Sequence, residues 1–345
     1  MSETPSGARK LRGKPVMMDV ARLAGVSHQT VSRVLNEHPS VRSETRERVL
    51  RAMQELDYRR NSAARALVTN RSHTLGLVTF DTTLVGPSST VYAIERAARD
   101  AGYFVSVASA RSLDEGSVSN AINRLREQAV EGIVTVAPMD SALAALARVP
   151  SDIPLVGIGV GDAVGVPMVS VDNIAGAALA TQHLVDLGHA TVHHISGPAE
   201  WPETRERVTG WRTTLRQVGA PEAPVLSGDW SVRSGYEAGR LLAVDPGVTA
   251  IFCGNDQMAL GALRALHQAG RSVPDEVSIV GFDDIEEAAY LLPPLTTVQQ
   301  DFAALGRASL EMLVGQIAAG VRTQQHMRFP PELVVRESSS GPHRV

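Results

Sequence analysis

Arg207, Trp230, Asn255 and Asp283 are side chains that together suit a polyhydroxylated ligand. Charged or amide groups bridge adjacent hydroxyls, and an aromatic face covers the C–H side of a sugar ring. Asn255-Asp256 follow the strand-like run Ala250–Cys253, and Asp283-Asp284 follow Val277–Val280. Arg207 stands in Thr204–Trp211, downstream of the run Val192–Ile195, and Trp230 stands in Gly228-Asp-Trp-Ser231. Structural alternatives stand beside this reading. Asp256 or Asp283 can cap a helix, Trp230 and Phe302 can be core, and Arg207 can pair with Glu203 or Glu206 on a surface. A second group lies near the N-terminus, where His28, Gln29 and Arg33 sit within one short helical stretch. Gln can pair with the adenine N6/N7 edge and Arg with guanine O6/N7, so this group suits the reading of base edges.

The elements that must hold His28, Gln29 and Arg33 are legible. Val20, Leu23 and Ala24 give one helix an apolar face, and Gly25 ends it because glycine takes a left-handed C′ conformation without a Cβ penalty. Ser27 is a good N-cap for the next helix, whose Val31, Val34 and Leu35 repeat the spacing. A third amphipathic helix is expected from Ser43 to Leu56, with Val49, Leu50, Met53 and Leu56 closing a small core. This is a helix-turn-helix, whose second helix enters the major groove with its N-terminal side chains toward the bases. Ser32, Asn36 and Thr45 are short polar groups suited to phosphate contacts.

Charge supports that reading. Residues 1–72 hold 14 Lys/Arg against 7 Asp/Glu, and the remainder holds 19 against 30. A basic head on an acidic body attracts a polyanion to the head alone. Between them, Asn61 to Leu67 carries a possible cap and helix-favouring alanines. One or two turns are too short to persist alone, so this hinge is expected to fold against a partner. Leu67 on a basic segment suits an apolar wedge inserted into a minor groove.

From His73 onward, short β-rich runs alternate with amphipathic stretches such as Val91–Asp100, Ala175–Leu187 and Asp256–Gln268. The candidate strands are Leu75–Phe80, Phe104–Ala108, Gly132–Val136, Leu155–Ile158, Val192–Ile195, Ala250–Cys253 and Val277–Val280. Such alternation implies parallel sheets with helices on both faces, and its length implies two lobes with a ligand at the strand C-termini.

The runs Asp19-Val-Ala, Ala24-Gly-Val-Ser and Thr30-Val-Ser-Arg-Val-Leu-Asn resemble the headpiece of the LacI/GalR family of transcriptional regulators. The similarity continues in Asn255-Asp-Gln-Met-Ala-Leu-Gly-Ala262, Pro293-Pro-Leu-Thr-Thr297 and Gln300-Asp-Phe302, closest to the family's lactose-responsive branch. The resemblance implies a small all-α helix-turn-helix headpiece and an α/β body of two doubly wound, periplasmic-binding-protein-like lobes, crossed three times by the chain. Lobe one would be 73–171 plus 299–327, and lobe two 172–298 plus the C-terminal stretch. It implies DNA contacts by Met17, Met18, His28, Gln29, Ser32, Arg33, Asn36 and Thr45, and by Asn61, Ala64 and Leu67 of the hinge. It implies effector contacts by Leu84, Gly86, Pro87, Arg207, Trp230, Asn255, Asp283, Gln300 and Phe302. Two positions filled by Asn and Asp in the lactose-responsive branch are Val136 and Gly159 here, and Trp201 is an added aromatic. A galactoside or related saccharide is therefore the expected effector, with a different or larger sugar left open.

The expected organisation is a disordered tail over 1–14, a headpiece over 15–60, a hinge and linker over 61–72, the two-lobed body over 73–337 and a disordered tail over 338–345. That last stretch lacks apolar heptads, so a homodimer on a palindromic operator is expected rather than a tetramer. The expected function is repression under a sugar effector. The alternatives are a different small-molecule effector or a corepressor, a transporter's sugar-binding component, or a carbohydrate enzyme. No phosphate loop, nucleophile elbow or metal motif is present, so neither cofactor nor metal is expected. Gly157-Ile-Gly-Val-Gly161 reads as a strand-end turn, and adjacent His193 and His194 point to opposite faces of a strand. The single cysteine, Cys253, reads as a buried hydrophobe and suits a reducing cytoplasm. With no secretory signal and no run of roughly 18 apolar residues, a cytoplasmic location without membrane association is expected.

Overall fold

The computed structural model describes residues 15–36, 38–59, 71–80, 83–110, 112, 114–136, 140–161 and 165–342. The expected tail 1–14 and the hinge positions Asn61, Ala64 and Leu67 lie outside the described residues. The chain divides into two compact units, residues 1–71 and 72–345.

The first unit holds α1 (Met17–Ala24), α2 (His28–Leu35) and α3 (Ser43–Glu55). Gly25 ends α1 at φ 62°, in the left-handed region that favours glycine. Ser27 Oγ accepts the Thr30 N–H at 3.1 Å and starts α2, satisfying one of its orphan donors. At the head of α1, Asp19 accepts the Val16 N–H at 3.0 Å. Val20, Val31, Val34 and Val49 close the core with Tyr58. Two expected core residues are corrected here: Leu23 is 44% exposed and Leu50 47%. Three short helices leave room for one narrow stripe, and Ala21 and Ala52 fill it by letting the backbones approach.

The second unit contains two six-stranded sheets. Lobe one begins with β1 (Thr74–Thr79), α4 (Val85–Asp100), β2 (Phe104–Ser109), α5 (Glu115–Glu127) and β3 (Ile133–Val136). It continues with α6 (Asp140–Ala147), β4 (Leu155–Ile158) and β5 (Met168–Val171). Lobe two holds α7 (Asn173–Asp186), β6 (His193–Ser196), α8 (Pro202–Gln217), β7 (Leu226–Ser227) and α9 (Val232–Ala243). After β8 (Ala250–Cys253), α10 (Asp256–Gln268), β9 (Ser278–Asp283), a 3-10 turn (Glu286–Tyr290) and β10 (Thr296–Gln299), the chain returns to lobe one. There it forms α11 (Phe302–Ala319) and β11 (His326–Phe329), then crosses back for β12 (Glu332–Val334).

The sheet orders are β11-β5-β4-β3-β1-β2 and β12-β10-β9-β8-β6-β7. Every recorded pairing is parallel except β12 on β10. Apolar clusters cover both faces, with Leu125, Ile133 and Leu155 on one side of the first sheet and Leu77, Val156 and Leu313 on the other. This is the doubly wound arrangement, with three crossings after β5, β10 and β11. No described helix is long and apolar enough to cross a membrane.

The expectation of a disordered segment from residue 338 is corrected for 338–342. Ser338 is fully buried, donates to the Ile279 carbonyl at 2.6 Å and accepts the Thr296 N–H at 2.8 Å. The Ser340 carbonyl also meets His189 Nε2 at 2.9 Å. The segment is polar because it satisfies the backbone beside β9 and β10, which a search for apolar heptads does not detect.

Candidate functional site

Two groups of expected residues are brought together. On the headpiece, His28, Gln29, Arg33 and Asn36 are exposed along α2, with Ser32 half-buried among them. The opposite side of α2 buries Val31 and Val34. Met18 is exposed at the head of α1, while Met17 and Thr45 are half-buried. Arg46 reaches from α3 to the Val34 and His38 carbonyls at 3.5 and 3.2 Å, fixing the end of α2 and the turn after it.

In the body, a cavity of about 360 Å³ opens at the C-terminal ends of the strands, between the lobes. Leu84, Gly86, Pro87, Arg207, Trp230, Asn255, Asp283, Gln300 and Phe302 all line it. So do Val136, Gly159 and Trp201, the three departures read from the sequence. Gly159 follows β4 at φ 135°, so the run Gly157–Gly161 is the end of that strand and the bend after it, with Ile158, Gly159 and Val160 lining the cavity.

Arg207 is the centre of the polar wall. Trp211, one turn on, is fully buried and donates Nε1 to the Val192 carbonyl at 2.9 Å, anchoring α8 to its sheet. Arg207 Nε donates to Asn173 Oδ1 at 2.9 Å, and Nη1 donates to the Gly254 carbonyl. Nη2 lies 3.9 Å from Asp283 Oδ1, and the guanidinium sits 3.7 Å over the Phe282 ring. Burial disfavours its charge, and Asp283, then Glu203, restore it. The surface ion-pair alternative for Arg207 is thereby excluded.

Asp283 ends β9 at φ 119°, an unusual conformation for a residue other than glycine. Gln300 Nε2 donates to its Oδ1 at 2.6 Å from the crossing after β10. Burial pushes the Asp283 carboxyl up to about 6, with Arg207 and Gln300 pulling the other way. Asn255 caps α10 through Oδ1 to the Met258 N–H at 2.9 Å, and its Nδ2 holds the Trp230 carbonyl at 3.1 Å. Trp230, itself at φ 72°, packs edge-on to Trp201 with centroids 5.5 Å apart. Trp201 in turn meets Phe80 of lobe one at 5.6 Å.

Asp256, weighed as a site residue from its sequence position, does not line the cavity. It accepts the Thr297 hydroxyl at 2.6 Å and the Ile285 N–H at 2.9 Å, and a side chain at Gly281 would collide with it. Burial, then Asp283, pushes its carboxyl up to about 8. Asn173, Glu203 and Gln257 line the cavity and were missed. Asn173 begins α7 directly after β5, a strand not read from the sequence. Glu203 precedes Arg207 by one helical turn, a spacing that suggested only an ion pair. Glu206 instead reaches Arg328 of lobe one at 3.3 Å.

Cys253 and His194 are buried structural groups. Burial pushes the Cys253 thiol up and holds His194 at about 4, where Nδ1 meets the Phe252 carbonyl at 2.9 Å. No cluster of three or more His, Cys, Asp or Glu suited to a metal occurs among the described residues.

Residues 16–61 match the model of bacterial regulatory proteins of the lacI family, and residues 181–339 match that of a periplasmic binding protein-like domain. The chain is 35% identical to the lactose operon repressor of Escherichia coli K12, over 96% of this chain and 92% of that protein. It is 32% identical to the ribose operon repressor of the same organism, over 94% and 99%. Among solved structures, a lac repressor dimer bound to operator and the anti-inducer ONPF superposes with a TM-score of 0.86 at 34% identity, over 95% of this chain and 100% of that one. A complex of the transcriptional regulator CelR with cellobiose gives 0.70 at 32% identity, over 94% and 99%.

Proposed function

This chain belongs to the lacI family of bacterial regulatory proteins, and from that membership we propose that a saccharide held between its lobes sets its affinity for a palindromic operator. It is a transcriptional repressor and not an enzyme, as its relatives are. Those relatives answer to different effectors by name, so the pocket must argue for the ligand. The observation that carries the reading is Arg207, held by Asn173, Gly254 and Asp283 on the wall of a cavity that also presents Trp230. A preset cation and an aromatic plane on one wall suit a ring with hydroxyls on its edge.

A galactoside or a related saccharide is the proposed effector. Val136 and Gly159 offer no polar side chain, whereas Trp201 adds a second aromatic surface. That exchange favours a sugar with more ring surface and fewer hydroxyls read by lobe one, such as a disaccharide.

Contacts between the lobes among the described residues include Arg328 to Glu206, Glu203 to the Val160 N–H, and Phe80 to Trp201. A ligand that binds one relative orientation of the lobes more tightly shifts the population toward it. In a two-fold dimer that shift changes how the paired headpieces meet the two half-sites, and operator affinity falls. A homodimer is proposed because a two-fold assembly of headpieces matches a two-fold operator. Work on bacterial DNA calls for a cytoplasmic location.

The test is a thermal-shift screen of the full chain against mono- and disaccharides, lactose and cellobiose included. At least one saccharide is expected to raise Tm in a dose-dependent way. A panel without any shift would remove the saccharide from this account.

A further inference from the structure

We propose that Glu203 is a specificity-determining acceptor of this pocket, taking a saccharide hydroxyl on Oε2 while Oε1 holds the lobe-one backbone at Val160. The inference rests on the saccharide reading above and adds a residue and a coupling to it.

Glu203 lies in the first turn of α8, four residues before Arg207, so both side chains fall on one helix face. Its Oε1 accepts the Val160 N–H at 3.4 Å, reaching from lobe two to the backbone of lobe one. Its Oε2 is shielded from solvent and has no hydrogen-bond partner among the described residues. The recorded contacts of Arg207 go elsewhere, Nε and Nη1 to Asn173 and Gly254 and Nη2 toward Asp283. A shielded acceptor left unfilled costs free energy, and a carboxylate oxygen is the costliest kind.

The surroundings agree. Burial pushes the Glu203 carboxyl up to about 7, against the pull of its own backbone N–H, of Arg207 and of the Val160 N–H, while Glu206 raises it further. Trp230, whose Nε1 is a donor without a partner among the described residues, lines the same cavity. Glu203 and Trp230 thus bring to the cavity wall one acceptor and one donor that have no partner among the described residues, and a hydroxyl group can serve either. On the lobe-one side the cavity is lined by Val136, Ile158, Gly159 and Val160, with Thr83, Thr90 and Ser170 as the hydroxyl side chains. A hydroxyl donated to Oε2 favours the ionised carboxylate, which strengthens the bond from the Val160 N–H. Ligand recognition and lobe closure thus meet in one side chain.

Full-length wild type, Glu203→Gln, Glu203→Ala and Arg207→Ala are titrated calorimetrically with lactose, cellobiose and any saccharide that raises Tm in the screen. Gln keeps the shape and the acceptor for Val160 but places a donor or an uncharged acceptor at the Oε2 position. Both Glu203 variants are expected to bind the recognised saccharide about tenfold or more weakly, with the free proteins folded and no less stable than wild type. Binding within about twofold of wild type by both variants would overturn the proposal while leaving the saccharide reading intact. Rescue by Gln together with a lowered Tm in the Ala variant would also overturn it, since that is the pattern of a structural role. Absence of binding by wild type to every saccharide would overturn the pocket reading, and this proposal with it.

Discussion

Arg207 Nε and Asn173 Oδ1 lie 2.9 Å apart, joining α8 to the first residue of α7 immediately after the chain crosses from lobe one. The guanidinium is therefore fixed at a crossing point, with Asp283, at the end of β9 near the second crossing, on its other side. A ligand that pulls on Arg207 pulls on two of the three strands of chain that connect the lobes.

Arg207→Ala should abolish the response to saccharide and leave operator binding by the headpiece intact. It leaves Asp283 and Asn173 without their partner, at a cost of about 3 kcal/mol that proton uptake by Asp283 reduces. Arg207→Lys keeps the charge but loses the planar fork, and should also fail to respond. Calorimetry and operator titration check both variants, and induction at wild-type saccharide concentration by either would contradict the role given to Arg207.

Glu203 gives a pH dependence with a definite sign. Its carboxyl is raised by burial from 4.5 to about 7, so the folded state holds the proton that the unfolded chain has released. The contribution to stability is fully present below pH 4.5 and is lost as pH rises through about 7. Glu203→Gln removes this penalty, so the Tm advantage of the variant over wild type should grow between pH 5 and pH 8. A difference independent of pH, or one that shrinks, would contradict the placement of this group.

Ser338 tests the packed C-terminal segment. Its hydroxyl serves both the Ile279 carbonyl and the Thr296 N–H in a fully buried position. Ser338→Ala should lower the unfolding free energy by about 1–3 kcal/mol in denaturant titration. A loss under about 0.5 kcal/mol would mean that the segment does not hold β9 and β10 in solution.

How much of this was legible depended on whether the signal was local. Gly25 and Ser27 announce the turn between α1 and α2 because a left-handed cap and a side-chain cap are properties of single residues. Arg207, Asn255 and Asp283 were legible because sites gather where strands end. The short strands β5, β7, β10, β11 and β12 are not read from the sequence; β11 pairs with β5 and β12 with β10, partners that a lobe crossing separates from them along the chain. Helix spacing showed that Glu203 lies near Arg207 but not that Val160 stands opposite. Leu23 and Leu50 were assigned to the core because periodicity marks a face without giving its width.

The most direct test is the anisotropy of a labelled palindromic operator, selected by the protein itself, titrated with full-length protein at fixed salt with and without a saccharide that stabilises the body. His28→Ala, Gln29→Ala and Arg33→Ala serve as controls that should abolish sequence preference. Saturating saccharide should weaken operator binding by about tenfold or more, within the usual range of coupling between two sites. Operator affinity unchanged at full occupancy of the cavity would contradict the claim that this pocket governs the headpiece.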